Sequence, residues 1–331
     1  MFGTILLFSG LAFVLSYGLN RLMPRWFSGF GQNKDKGPQQ FRWNHSSKPL
    51  TGGIALAMPV LAFVLYAVFE GDLSIWLMLF FAASLLAGLA DDLFSLKPLP
   101  KLTVQFLCGL FAWQAGLRIE LTELLPMDIF LTCFFVSALM NSVNMLDNMD
   151  GVAGFATLGI LLPWLVFFHD MNGLLLWVMA FSLVGFLLVN SYPSKVFMGD
   201  SGSHFLGGIL CWFCLQIPMD DYLISGKWIP NSFILYGLLF FPLTDSILVT
   251  GSRIIRKQSP FIGGRDHFTH LLVRNGLRQS QVPWILFVVN IGIGIWVHGF
   301  CPDSLLVFVF ALVLQAHFAF FYYWIWNHKT A

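Results

Sequence analysis

Long apolar runs, unbroken by charge, constrain this chain more than any other feature. Residues 52–69 contain no charged, amide or imidazole side chain. Eleven such runs can be laid out, at about 2–22, 52–69, 75–90, 102–117, 127–143, 152–168, 174–189, 204–218, 232–250, 282–299 and 304–326. Most approach the roughly 17–25 residues that a helix needs to cross a bilayer. They lack the period-two alternation of a membrane barrel, so helices are expected. Only 11% of the 331 residues are charged, against about 25% in a soluble domain. A soluble fold could not hide so much apolar surface. A disordered chain would be polar and poor in aromatics, which here reach 17%. The expected fold class is an all-α integral membrane protein of about eleven transmembrane helices, a single polytopic domain over 1–331.

Eleven spans alternate the loops between two faces. Every Lys and Arg falls on one face except Arg118 and Lys227. That face collects the loops 23–51, 91–101, 144–151, 190–203 and 251–281, and the C-terminus. By the positive-inside rule it is cytoplasmic, which places the N-terminus outside. The first run has no basic leader and no small-residue cleavage site after it, so it reads as a span rather than a cleavable signal. Cys211 and Cys214 form a C-x-x-C inside an apolar run, where small core residues are a better reading than a metal or redox pair. No internal repeat is evident, which argues against an inverted-repeat transporter.

Five polar clusters fall on the expected cytoplasmic face, in the loops 44–53, 91–101, 141–151, 195–203 and 251–281. They are Lys48 to Gly53; Asp91 and Asp92 with Lys97 and Lys101 nearby; Asn141 to Gly151, containing Asn144, Asp147 and Asp150; Phe197 to Ser203, containing Asp200; and Ser259-Pro260-Phe261 followed by Arg265-Asp266-His267-Phe268-Thr269-His270. Five carboxylates from three loops suit a hard cation, since Mg²⁺ takes oxygen ligands from one or two carboxylates plus substrate phosphates. Lys48, Arg253, Arg265, His267 and His270 can offset diphosphate charge. Spans beginning near Gly52, Val152 and Ser203 aim their N-termini at this face, where free backbone N–H groups can bind anions.

Each cluster also has a plain structural reading. Lys-Pro and Asp-Asp at a membrane boundary are ordinary wet helix ends. Asn/Asp runs favour turns and N-caps. Asp200 could simply cap the eighth span, and His267 and His270 could be surface histidines. Five such clusters on one face make joint coincidence a poor explanation. Asp245 stands inside the ninth span; an intramembrane acid is functional by default, or else a buried pair with a basic residue of the following loop. His169, His298 and His317 are read as structural.

From Lys48 to His270 these motifs resemble the polyprenyl-phosphate N-acetylhexosamine-1-phosphate transferases (glycosyltransferase family 4). The specific pieces are Asn144-Met-Leu-Asp147-Asn148-Met-Asp150-Gly151 and Phe197-Met-Gly-Asp200-Ser-Gly-Ser203. Pro242-Leu-Thr-Asp245 through Arg253 to Ser259-Pro-Phe261 and Arg265 is similar to the branch that primes O-antigen and common-antigen synthesis. Two positions depart from the family's usual motifs: Asn148 stands for a Gly, and Thr269 for the middle His of H-x-H-H. These departures bear on sugar preference.

The resemblance implies an enzyme of the bacterial inner membrane that moves a HexNAc-1-phosphate from a UDP-sugar to undecaprenyl phosphate and releases UMP. Mg²⁺ is the implied cofactor, with Mn²⁺ as the alternative. The implied metal ligands are Asp200 and Asp147. The implied catalytic set is Asp91, Asp92, Asp147, Asp150, His267 and His270. Lys48, Asn144, Arg253 and Arg265 are implied substrate-binding residues. Partners are the UDP-N-acetyl-hexosamine, the lipid phosphate and the membrane; no nucleic acid is expected, and a homodimer is an allowed assembly. The rival reading is a polytopic transporter of an anionic substrate, which would hold its polar residues near the bilayer midplane.

Overall fold

In the computed structural model the described residues are 2–27, 29, 48–122, 124–166, 170–216, 239–259 and 264–300, with isolated positions between 309 and 323. Most of the expected span 304–326, the first part of 232–250, residues 44–47, Pro260, Phe261, and the side chains of His169, His298 and His317 lie outside them.

The chain is all-helical among these residues. In order the helices are α1 (Phe2–Trp26), α2 (Gly52–Phe69), α3 (Ile75–Phe94), α4 (Pro98–Gln114), α5 (Leu125–Leu146), α6 (Val152–Leu161), α7 (Met171–Asn190), α8 (Gly199–Gln216), α9 (Phe240–Ile255), α10 (Phe268–Arg274) and α11 (Gln281–Phe300). Five of them, α1, α2, α3, α5 and α7, are long and apolar enough to cross a membrane. The protein is a multi-pass membrane protein on these grounds.

The helix limits follow from local chemistry. Ser74 accepts from Trp76 N and opens α3, and Asp170 accepts from Gly173 N and opens α7. Pro98 sits in the first turn of α4, where its missing N–H costs nothing. The expected span 152–168 stops as an α-helix at Leu161 and tightens to a 3₁₀ turn over Leu162–Trp164. Pro163 is the reason: it has no N–H and its ring clashes with the preceding turn. At ten residues α6 is about 15 Å long, too short to cross a bilayer alone. The seven-residue α10 was not expected, because so short a helix inside a polar loop leaves no readable period.

Helix α8 is the buried centre; every residue from Ser201 to Cys214 is buried. It packs against α3, α5 and α2, while α1 lies on α7, α4 on α5, and α11 on α6. Small residues permit these contacts, as in membrane bundles generally. A Cβ on Gly53 would overlap the backbone of Gly202, and one on Gly88 would overlap the carbonyl of Asp200. Two backbones therefore touch beside the acidic motifs, which fixes α8 against α2 and α3. Cys211 and Cys214 are buried with free thiols.

Candidate active site

The polar ends of α2, α3, α5, α6, α7 and α8 converge at one end of the bundle. Asp92 is wholly buried. Its two oxygens accept from the backbone N–H groups of Asp200 and Ser201, both at 2.9 Å. It thus caps the first turn of α8 from a neighbouring helix, and α8 begins five residues earlier than its apolar run suggests. The first amides of α2 are likewise spent, Gly52 N on Phe197 O (3.1 Å) and Gly53 N on Met198 O (2.9 Å). Gly151 N, at the head of α6, donates to Asn190 Oδ1. These leading amides, at helix ends expected to cradle phosphate, are therefore bound within the protein.

Beside Asp92, the Asp91 and Asp200 side chains stand within hydrogen-bonding reach of each other. Lys101 Nζ lies 2.6 Å from Asp91 Oδ2. Asn144 completes the group. Its oxygen faces Lys101 Nζ at 2.9 Å; its nitrogen donates to Asp200 Oδ1 (2.9 Å) and Ser203 Oγ (2.8 Å). That orientation is the only sensible one, since an ammonium only donates and a carboxylate only accepts. Four residues from α3, α4, α5 and α8 thus form one charged knot.

A buried polar chain supports the knot from behind. Gln105 Oε1 accepts from Ser137 Oγ (3.1 Å) and Asn141 Nδ2 (2.6 Å). Gln105 Nε2 donates to His204 Nε2 (2.8 Å), so His204 carries its proton on Nδ1 and donates it to the Asp200 carbonyl (2.6 Å). The sequence reading passed over Gln105 and His204 and gave Lys101 no role. A signal existed: Lys101 and Gln105, Ser137 and Asn141, and Asp200 and His204 are each four apart, so each pair shares a helix face.

Asp150 belongs to a second group. It accepts from Ser194 N at 3.0 Å, and Lys48 Nζ lies 3.8 Å from it. Lys48 also donates to Ser194 Oγ (3.0 Å) and lies over the Phe197 ring. Asp147 closes α5 in the same loop.

The third group is the segment after α9. Asp245 is 2% exposed. It accepts from His267 Nδ1 and from Phe268 N, both at 2.8 Å. Arg253 makes a two-pronged contact with Asp266 at 2.9 and 2.7 Å, and Arg256 adds a third bond at 3.0 Å. Burial alone would raise the Asp266 carboxyl, but the Arg253 hydrogen bonds and charge outweigh it and hold it below its ordinary range. Burial pushes the His270 imidazole down to about 3, and the adjacent His267 and Arg265 push the same way. His270 is therefore neutral at pH 7. Thr269 is fully buried and donates to Asn148 Oδ1, which ties this segment to the loop of Asp147 and Asp150.

Among the described residues no three His, Cys, Asp or Glu side chains stand close enough to hold a metal by themselves. The Asp91–Asp200 pair nevertheless fits a hard cation. It offers oxygen donors only, and its adjacent carboxylates call for more positive charge than Lys101 alone supplies. Mg²⁺ needs only one or two carboxylates when phosphates complete its shell.

The family model described as "Glycosyl transferase family 4" matches residues 74–217. The undecaprenyl-phosphate alpha-N-acetylglucosaminyl 1-phosphate transferase of Escherichia coli K12 is 28% identical over 265 residues, 71% of this chain and 68% of that one. The phospho-N-acetylmuramoyl-pentapeptide-transferase of Staphylococcus carnosus is 26% identical over 299 residues, 81% and 90% of the two chains. A probable undecaprenyl-phosphate N-acetylglucosaminyl 1-phosphate transferase of Bacillus subtilis is 26% identical over 256 residues, 73% and 70%.

Proposed function

Because residues 74–217 match the glycosyl transferase family 4 model and the relatives above are similar over most of the chain, we propose that the chain is a member of that family and transfers a HexNAc-1-phosphate from a UDP-sugar to undecaprenyl phosphate, releasing UMP. The observation that carries this reading is the knot of Asp91, Lys101, Asn144 and Asp200, drawn from four helices inside the matched region. UDP-N-acetylglucosamine or a related UDP-N-acetyl-hexosamine is the donor, and the lipid-diphosphate sugar primes a cell-envelope polysaccharide of the O-antigen kind. The site faces the cytoplasm, where UDP-sugars are made and where the basic loops lie.

The lipid phosphate attacks the sugar-bearing phosphorus of the diphosphate, so two anions must meet. Phosphoryl transfer of this kind needs positioning and charge neutralisation more than covalent help. Asp200, with Asp91 beside it and Asp147 from the neighbouring loop, would hold Mg²⁺ (or Mn²⁺). That ion would supply positive charge to the phosphate oxygens. Lys101 orients Asp91, which takes the proton of the incoming lipid phosphate. Asp92 keeps Asp200 in place by capping α8. Lys48, set by Asp150, binds a phosphate oxygen. Arg265, His267 and His270 contact the diphosphate or sugar. Arg253 acts through Asp266, which it holds beside His267.

The test is UMP release from purified protein given undecaprenyl phosphate, Mg²⁺ and a panel of UDP-sugars. Turnover is expected to require the lipid phosphate, to stop on chelation, and to return with Mg²⁺ or Mn²⁺. A folded protein that releases no UMP from any donor would remove the transferase reading and favour transport of an anion.

A further inference from the structure

Asp245 is an acid inside an apolar helix, and no part of the reaction scheme above uses it. Its two oxygens are separately committed. Oδ1 accepts the backbone N–H of Phe268, the first residue of α10, and Oδ2 faces Nδ1 of His267 at 2.8 Å. A carboxylate oxygen facing a ring nitrogen accepts, so the proton of that contact sits on Nδ1. Nε2 of His267 then remains, and it makes no hydrogen bond to a described residue. The backbone bond to Phe268 fixes where the ring starts; the bond to Nδ1 fixes how it turns. The adjacent His270 packs edge-on, with ring centroids 5.9 Å apart, and limits the swing of the ring. Arg253 and Arg256 hold Asp266, the residue before His267, so the backbone on that side is fixed too.

We infer that Asp245 is a positioning residue: it holds His267 with its proton on Nδ1 and so leaves Nε2 as a hydrogen-bond acceptor for a hydroxyl of the donor's sugar. The inference rests on the transferase reading for its substrate, and on the Asp245–His267 geometry for everything else. The logic is that of a carboxylate orienting a working imidazole. An acid placed only to cap α10 would need one oxygen; the second is spent on the tautomer.

The test uses the full-length protein in lipid nanodiscs with ¹⁵N-labelled histidine. The His267 resonances, assigned by their loss in His267→Gln, are expected to report a proton on Nδ1. Asp245→Asn keeps an oxygen for Phe268 N and turns an amide N–H₂ toward the imidazole, which forces the proton to Nε2. Its kcat/KM for the UDP-sugar is expected to fall about 10- to 100-fold, mostly through KM, because an Nε2–H can no longer accept from the sugar hydroxyl. Combined with His267→Gln, Asp245→Asn is expected to cause no further loss. A proton on Nε2 in the unaltered chain would overturn the inference, as would losses that multiply in the double variant. If Asp245→Asn does not fold, the tautomer of the unaltered chain still decides. Absence of turnover in the unaltered chain would count against the transferase reading, and the resonance measurement would judge Asp245 independently of it.

Discussion

The hydroxyl of Thr269 donates to the carboxamide oxygen of Asn148 across 121 residues of sequence. Asn148 in turn donates from its nitrogen to the Met145 carbonyl at the end of α5, at 3.1 Å. Its amide orientation is thereby set, and Thr269 can act only as the donor. These are the two positions where the chain departs from the usual family motifs, and they contact each other. Thr269→Val is expected to leave a polar acceptor without a partner, at a cost of about 1–3 kcal/mol. Thr269→Ser should restore stability and turnover. Thermal melts and UMP release on the three proteins check this; a Val variant equal to the original would sink it.

The neighbouring acids Asp91 and Asp92 should part company on mutation. Asp92 bonds two backbone amides of α8, so Asp92→Ala is expected to lower both melting temperature and turnover. Loss of such a cap costs about 0.5–2 kcal/mol. Asp91 holds Lys101 at the charged knot, and Asp91→Asn should lower turnover at least 100-fold while the protein still folds and inserts. Equal melting behaviour together with equal turnover in the two variants would show the division to be mistaken.

Gly88 of α3 is a sensitive test of the packing, because an added methyl group would meet the Asp200 carbonyl rather than a movable side chain. Gly88→Ala is expected to push α8 away, costing about 1–3 kcal/mol and most of the activity. Gly71, with open space around it, is not a matched control because its φ of +83° disfavours any side chain. A Cβ on Gly251 would meet nothing within 4 Å beyond its own helix among the described residues, and its φ is ordinary. Gly251→Ala should therefore leave turnover intact, and a Gly88→Ala protein that performs as well would contradict the close approach.

Acid should weaken the protein through His270. Its folded-state value of about 3 lies below the ordinary 6.5. The unfolded chain therefore binds the extra proton between those values. The stabilisation is complete above about pH 6.5 and is lost as pH falls toward 3. Moving from pH 7 to pH 5 should cost about 2 kcal/mol. The Asp266 carboxyl, held low, adds its own loss only below about pH 4, the ordinary carboxylate range. Melts at pH 7 and pH 5 for the original and for His270→Asn are the measurement; an unchanged pH difference in the variant would refute the assignment.

Hydrophobicity and the scatter of charge were enough to fix the class of this protein. An apolar run of membrane length has one way to satisfy its backbone, so α2 is found at the limits its sequence implies, Gly52–Phe69. The acidic motifs too stand out in the sequence as candidates for chemistry, because carboxylates at the ends of apolar helices are few and costly. Sequence could not say which oxygen belongs to which partner. Asp91 and Asp92 are adjacent in the chain, yet one faces Lys101 and the other caps α8. Successive residues on a helix point about 100° apart, so their neighbours are set by helices distant in sequence. Gln105, His204 and Asp245 gain their meaning in the same way. Only the close approach of α3, α4, α5 and α8, permitted by glycine and enforced by buried hydrogen bonds, decided which polar groups meet.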